Sequence, residues 1–160
     1  MTTSNTPNET PEALAAWART GHAPTGQAPA GERMQPLELL TVREALGLTR
    51  EALADALDVS VASIRAWESG HRTIPDGVRR DMEALETYTN DLAAALAAHL
   101  IESTGTGGPA IGAYTRDGEV PELRLPGAPL APTARWWRVV AYRAAAAVPG
   151  TRIVDATASA

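Results

Sequence analysis

Arg65 is the side chain with the clearest chemistry in this chain. It is the one long hydrogen-bond donor on the outward side of a short helical run, and its forked guanidinium can bind guanine through two hydrogen bonds or grip a phosphate. Signs of other chemistry are missing. The chain has no cysteine, so it has neither a disulfide framework nor a thiolate metal site. His22, His71 and His99 are far apart, and none is four residues from another. The acid pairs Asp55 and Asp58, and Glu83 and Glu86, have helical spacing and read as solvated faces. No phosphate-binding glycine loop or activated nucleophile is recognisable. The expectation is a non-enzymatic protein without a metal or cofactor.

The elements that position Arg65 come from residues 48–70, which read as two short helices around a tight turn, a hairpin able to carry a helix into the DNA major groove. Thr49 and Ser60 each precede an apolar-periodic run, where a hydroxyl can accept from an unsatisfied helix N–H. Leu53, Ala54 and Leu57 would face inward from the first helix, and Ile64 and Trp67 from the second. Upstream, Leu37, Leu40, Val42, Leu46 and Leu48 supply another helix that Gly47 can end in a left-handed conformation. Downstream, Ile74-Pro75-Asp76-Gly77 opens a further helix, with proline allowed in the first turn. Four helices between about 36 and 100 make a complete module.

The pattern Leu48-Thr49-x-x-x-Leu53-Ala54-x-x-Leu57-x-Val59-Ser60-x-x-x-Ile64-x-x-Trp67-Glu68-x-Gly70 resembles the Cro and phage-repressor (XRE) class of helix-turn-helix proteins. Val42-Arg43-Glu44-Ala45-Leu46, the run from Trp67 to Leu85 and the late Trp137-Arg138 are similar to a narrower branch, the dimeric regulators encoded beside anti-CRISPR genes. The resemblance places Val61, Ala62 and Ala66 at base edges. None of the three has a polar side chain, a departure from the class, although Val61 and Ala62 can meet thymine methyls. It also implies backbone contacts from Thr49 and Arg50 at a helix N-terminus, and from His71, Arg72 and Thr73 in the loop beyond. Ser60 and Ser63 are within reach of phosphate or base, and Arg79 and Arg80 offer a further contact. Arg43 and Glu68 occupy the places where the class forms a structural ion pair, which fixes helix orientation more than it adds stability.

Residues 1–35, rich in Thr, Pro, Ala, Gly and Asn, read as a flexible tail, with a short helix conceivable over 11–19 that shows Leu14 and Trp17. From Asp76 to Ile101 a long helix repeats apolar positions at spacings of three and four, including Val78, Met82, Leu85, Leu92, Leu96 and Leu100. It is too long for the turn module to cover. Either another part of the chain or a second copy must bury its far half. Residues 102–109 form a linker. In 110–160, strands over 110–120 and 122–125 are expected to form a hairpin around Arg116-Asp117-Gly118, followed by a helix over 133–148 and a flexible end. The fold class is mostly α, with a four-to-five-helix module and a small C-terminal α+β segment. A homodimer interface is expected from Leu92, Leu96 and Leu100 with Trp136, Trp137 and Val140.

A net charge of −5 looks unfavourable for a DNA binder. The excess is local, since residues 81–109 carry five acids and no arginine, whereas 36–80 hold six arginines against seven acids. No apolar run approaches the ~20 residues that span a bilayer, and the start lacks a signal-peptide layout, so a cytoplasmic protein without membrane association is expected. The leading function is a repressor or autoregulator that binds an inverted-repeat, double-stranded operator as a homodimer. The resemblance adds that such regulators often serve phage or mobile-element operons. The alternative is an antitoxin that also neutralises a protein partner. RNA ranks lower, because the turn offers no aromatic platform for bases.

Overall fold

The computed structural model describes residues 33–103, 108–121 and 128–158, which belong to one compact unit, Glu32–Ala160. Helix α1 spans Pro36–Ala45, α2 Arg50–Ala56, α3 Val61–Glu68 and α4 Val78–Glu102. Strand β1 (Ala110–Ala113), a 3-10 turn (Asp117–Glu119), α5 (Ala134–Ala147) and β2 (Arg152–Asp155) follow. The residues 1–32, with the conceivable helix at 11–19, lie outside the described part, as does 122–127.

Local chemistry explains the helix boundaries. Pro36 opens α1, and Gln35 and Glu38 cap each other's backbone N–H groups. Met34 is buried and Arg33 pairs with Asp76, so the structured chain begins before the expected end of the tail. The Thr49 hydroxyl accepts from Ala52 N–H at 3.1 Å, and Ser60 does the same for Ser63 at 3.1 Å. Asp58 turns the chain between α2 and α3 at φ 52°, a left-handed conformation that aspartate tolerates better than most side chains.

The far half of α4 is covered from within the chain. Its buried line runs Val78, Met82, Leu85, Thr89, Ala93, Ala97 and Leu100, leaving Leu92 and Leu96 half-buried at the flank. The alanines let α5 approach closely, with its own Val140, Ala141 and Ala144 fully buried. Trp136 Nε1 donates to Thr89 Oγ1 at 3.0 Å, and the Trp136 ring stacks on Tyr88 with centroids 6.0 Å apart. Leu100, Trp136, Trp137 and Val140, expected between two copies, are therefore buried inside one. The same helix touches the turn module: a Cβ at Gly47, where φ is +67°, would stand 2.8 Å from the Arg135 carbonyl oxygen and 2.8 Å from Val139 Cγ2.

The expected hairpin is corrected. Asp117-Gly118 lies in the 3-10 turn, and β1 pairs with β2 in parallel, Ala110 opposite Arg152 and Ala113 opposite Asp155. Parallel strands need a crossover connection, which α5 provides here. The outer edge of β1 is closed by Trp137, whose Nε1 donates to Gly112 O at 2.8 Å. The C-terminal residues 152–155, expected to be loose, are the second strand.

Candidate nucleic-acid interface

Ile64 and Trp67 anchor α3 against Leu53 and Ala54 of α2, all four buried, so the opposite side of α3 must face outward. Ala62, Arg65 and Ser69 are exposed there, and Val61, Ser63 and Ala66 are half-buried. Arg65 has no acid or hydrogen-bond partner among the described residues. Beside it a chain of polar groups runs from Arg72 Nη1 to Ser63 Oγ at 3.5 Å and on to Ser60 Oγ at 3.0 Å. His71 Nδ1 meets Ser69 Oγ at 2.7 Å, and Thr73 is exposed in the following loop. The structure thus gathers Val61, Ala62, Arg65, Ala66, Ser60, Ser63, His71 and Arg72 around one outward surface.

Beneath that surface lies an ionic clamp. Glu68 Oε1 accepts from Arg43 Nε at 2.5 Å and Glu68 Oε2 accepts from Arg50 Nε at 2.6 Å. The Glu68 side chain is 4% exposed and that of Arg43 6%, while that of Arg50 is 44% exposed. Arg43 Nη1 also donates to Leu48 O at 2.8 Å, which ties α1 to the start of the next turn. Burial pushes the Glu68 carboxyl up, but the hydrogen bonds and charges of Arg43 and Arg50 outweigh it and hold the group below its ordinary value.

The sequence pairs Glu68 with Arg43 and misses Arg50, which it assigns to phosphate alone. No local signal announces this contact, since Arg50 and Glu68 are 18 residues apart and meet only when α2 and α3 close on each other. Glu38 is likewise missed: the bidentate hydrogen bond from Arg79, at 2.7 Å to each oxygen, holds its carboxyl low and joins α1 to α4. With Arg33 on Asp76 as well, the cations of the module without an acid partner among the described residues are Arg65, Arg72 and Arg80.

Residues 39–78 match the helix-turn-helix family model. They are a Cro/phage-repressor-type (XRE) helix-turn-helix. The matched stretch runs from within α1 to the first residue of α4 and so contains the clamp and the whole outward face of α3. A helix-turn-helix of this type is the DNA-binding part of a transcription regulator, and double-stranded DNA is its ligand. No curated protein matches the chain. Among the described residues no helix is long and apolar enough to cross a membrane.

Proposed function

We propose that this protein is a transcriptional repressor that binds an inverted-repeat operator, its own promoter included, as a homodimer in the cytoplasm or nucleoid. The observation that carries this reading is the partnerless Arg65 on the outward side of α3, on a helix fixed by Glu68 and edged by Arg72 and the Ser60 and Ser63 hydroxyls. Arg65 is the base reader, at guanine. Val61, Ala62 and Ala66 offer apolar contact to thymine methyls. Arg72, Ser60, Ser63, His71 and Thr73 contact phosphates, with the α2 N-terminus at Thr49 as a further donor. Arg50 contributes only by sharing its guanidinium with Glu68.

So small a set of unpaired cations releases few counterions, and one half-site is held weakly. Two modules about 34 Å apart, one helical turn, supply the missing affinity. The reading is tested by selecting duplexes from a randomised pool with the full chain and titrating the winner by fluorescence anisotropy at several salt concentrations. A palindromic winner is expected. Arg65→Ala should cost about 1–3 kcal/mol on that duplex and little on random DNA, whereas Arg72→Ala should weaken both and lower the salt slope by about one unit. A pool that enriches no inverted repeat overturns the proposal.

A further inference from the structure

The two edges of the small sheet are treated differently. Trp137 closes the outer edge of β1 through Gly112 O. Strand β2 is exposed at all four positions, and it carries two β-branched apolar residues, Ile153 at 47% and Val154 at 39% exposure. Arg152 N–H donates to Pro109 O at 3.0 Å and Ala156 N–H to Ala113 O at 2.9 Å, so the even-numbered residues of β2 direct their backbone groups at β1. Ile153 and Asp155 therefore direct theirs outward. Among the described residues the Ile153 N–H and C=O and the Asp155 N–H have no partner, and Asp155 C=O takes only a 3.3 Å bond from Ala158 N–H. The strand has no proline and no inward-pointing charge to guard such an edge.

We propose that this edge pairs antiparallel with β2 of a second copy of the chain, about a two-fold axis at Val154. This rests on the dimeric reading above and specifies its interface. Each strand carries its cation, Arg152, at one end and its anion, Asp155, at the other. Antiparallel pairing brings opposite charges to the same end, and parallel pairing would bring like charges together. Outward groups can face outward groups only if the axis falls at Ile153, Val154 or Asp155. An axis at Asp155 sets two carboxylates directly opposite each other. An axis at Ile153 sets Asp155 against Thr151, whose N–H already donates to Val148 O at 3.1 Å. With the axis at Val154, Ile153 of each copy faces Asp155 of the other, and every unpaired backbone group finds its complement. Such a strand is short against the ~1,200–2,000 Å² of a stable interface, so the pairing is weak in free solution and tightens when both copies sit on one inverted repeat.

Disulfide trapping tests the register, because the chain has no cysteine of its own. Opposite residues at a non-hydrogen-bonded antiparallel site have Cα atoms about 4.5 Å apart, within disulfide reach. The full chain carrying Val154→Cys should therefore cross-link to a dimer under mild oxidation without DNA, at least about tenfold faster than Ile153→Cys, which the axis separates beyond ~7 Å. The more exposed position 153 controls for random collision. Adding Ile153→Pro to Val154→Cys removes an outward N–H and leaves the ladder to β1 whole, and it should abolish the cross-link while the circular dichroism melt is retained. Equal rates at 153 and 154, or no cross-link at 154, would overturn this interface. If the wild-type chain then still sediments as a dimer or still selects a palindrome, the repressor reading stands and its interface lies elsewhere.

Discussion

In residues 36–79 the groups that join one helix to the next are charged: Arg43 and Arg50 on Glu68, and Arg79 on Glu38. In residues 110–155 and the far half of α4 they are indoles and backbone carbonyls: Trp136 on Thr89, Trp137 on Gly112, and Arg138 Nη1 on Tyr114 O at 2.7 Å. The first region fixes the angle at which α3 is presented. The second gives that module a rigid back, since α5 lies against Gly47 and Arg143 reaches Asn90 of α4 at 2.7 Å. Charge clamps are directional and respond to pH, whereas indole contacts derive most of their worth from buried area. The two regions should therefore fail under different perturbations.

The largest effect is expected from Trp136→Ala. It deletes a fully buried ring, its stack on Tyr88 and its bond to Thr89, and should cost about 3–5 kcal/mol in urea or thermal melts. Because α5 packs on the turn module at Gly47, the loss should appear as one earlier cooperative transition monitored by both tryptophan fluorescence and circular dichroism. Two separated transitions, with the helix-turn-helix melting unchanged, would mean that the regions are energetically independent.

The same contrast explains what could be read in advance. The helix-turn-helix is built from contacts close in sequence: the caps at Thr49 and Ser60, the left-handed Gly47, and the inward Leu53, Ile64 and Trp67 each announce themselves within a turn or two. The DNA-facing surface follows, because fixing the buried side of α3 fixes its outward side. The segment after α4 is legible only as elements. That Ala110–Ala113 is a strand and Ala134–Ala147 a helix follows from pattern, but the partner of β1 lies some forty residues on, across a crossover that alternation does not encode. Nor does the long apolar stripe of α4 say whether its cover comes from the same chain. The seam shifted onto Ala93 and Ala97 because small residues admit the closely packed α5, a preference invisible when only large apolar residues are counted.

On the charged side of the comparison, Glu68→Ala should cost about 3 kcal/mol, the low end for a buried pair because Arg50 is half in solvent. The loss comes chiefly from stranding Arg43, whose side chain is 6% exposed. Arg43→Met combined with Glu68→Leu should thus cost less than the sum of the two single changes. The sign of the pH effect is fixed as well. Glu68 and Glu38 titrate below the ordinary carboxyl value of 4.5 in the folded chain, so their stabilisation is complete above that value and is lost as the pH falls through their lowered pKa values. Glu68→Gln should flatten the acid side of the stability curve. An acid limb of unchanged steepness, or additive losses in the double variant, would show that the clamp does not hold the helices.

The smallest expected effect separates area from hydrogen bonding on the indole side. Thr89 is fully buried within α4, its hydroxyl donating to Leu85 O at 2.7 Å and accepting from Trp136 Nε1 at 3.0 Å. Thr89→Val keeps the volume and removes the acceptor, leaving the indole N–H dry and unpaired at a cost of about 1–2 kcal/mol. Thr89→Ser keeps the acceptor and loses a methyl, at about 1 kcal/mol. Trp67 offers an internal reference, since its own buried Nε1 has no partner among the described residues, so Trp67→Phe forfeits area without breaking a bond. If the Trp136–Thr89 bond orients α5 on α4, Thr89→Val should also disturb the near-ultraviolet dichroism of Trp136, and Thr89→Ser should preserve it. Identical spectra and stabilities for the two variants would mean that the indole is held by packing alone.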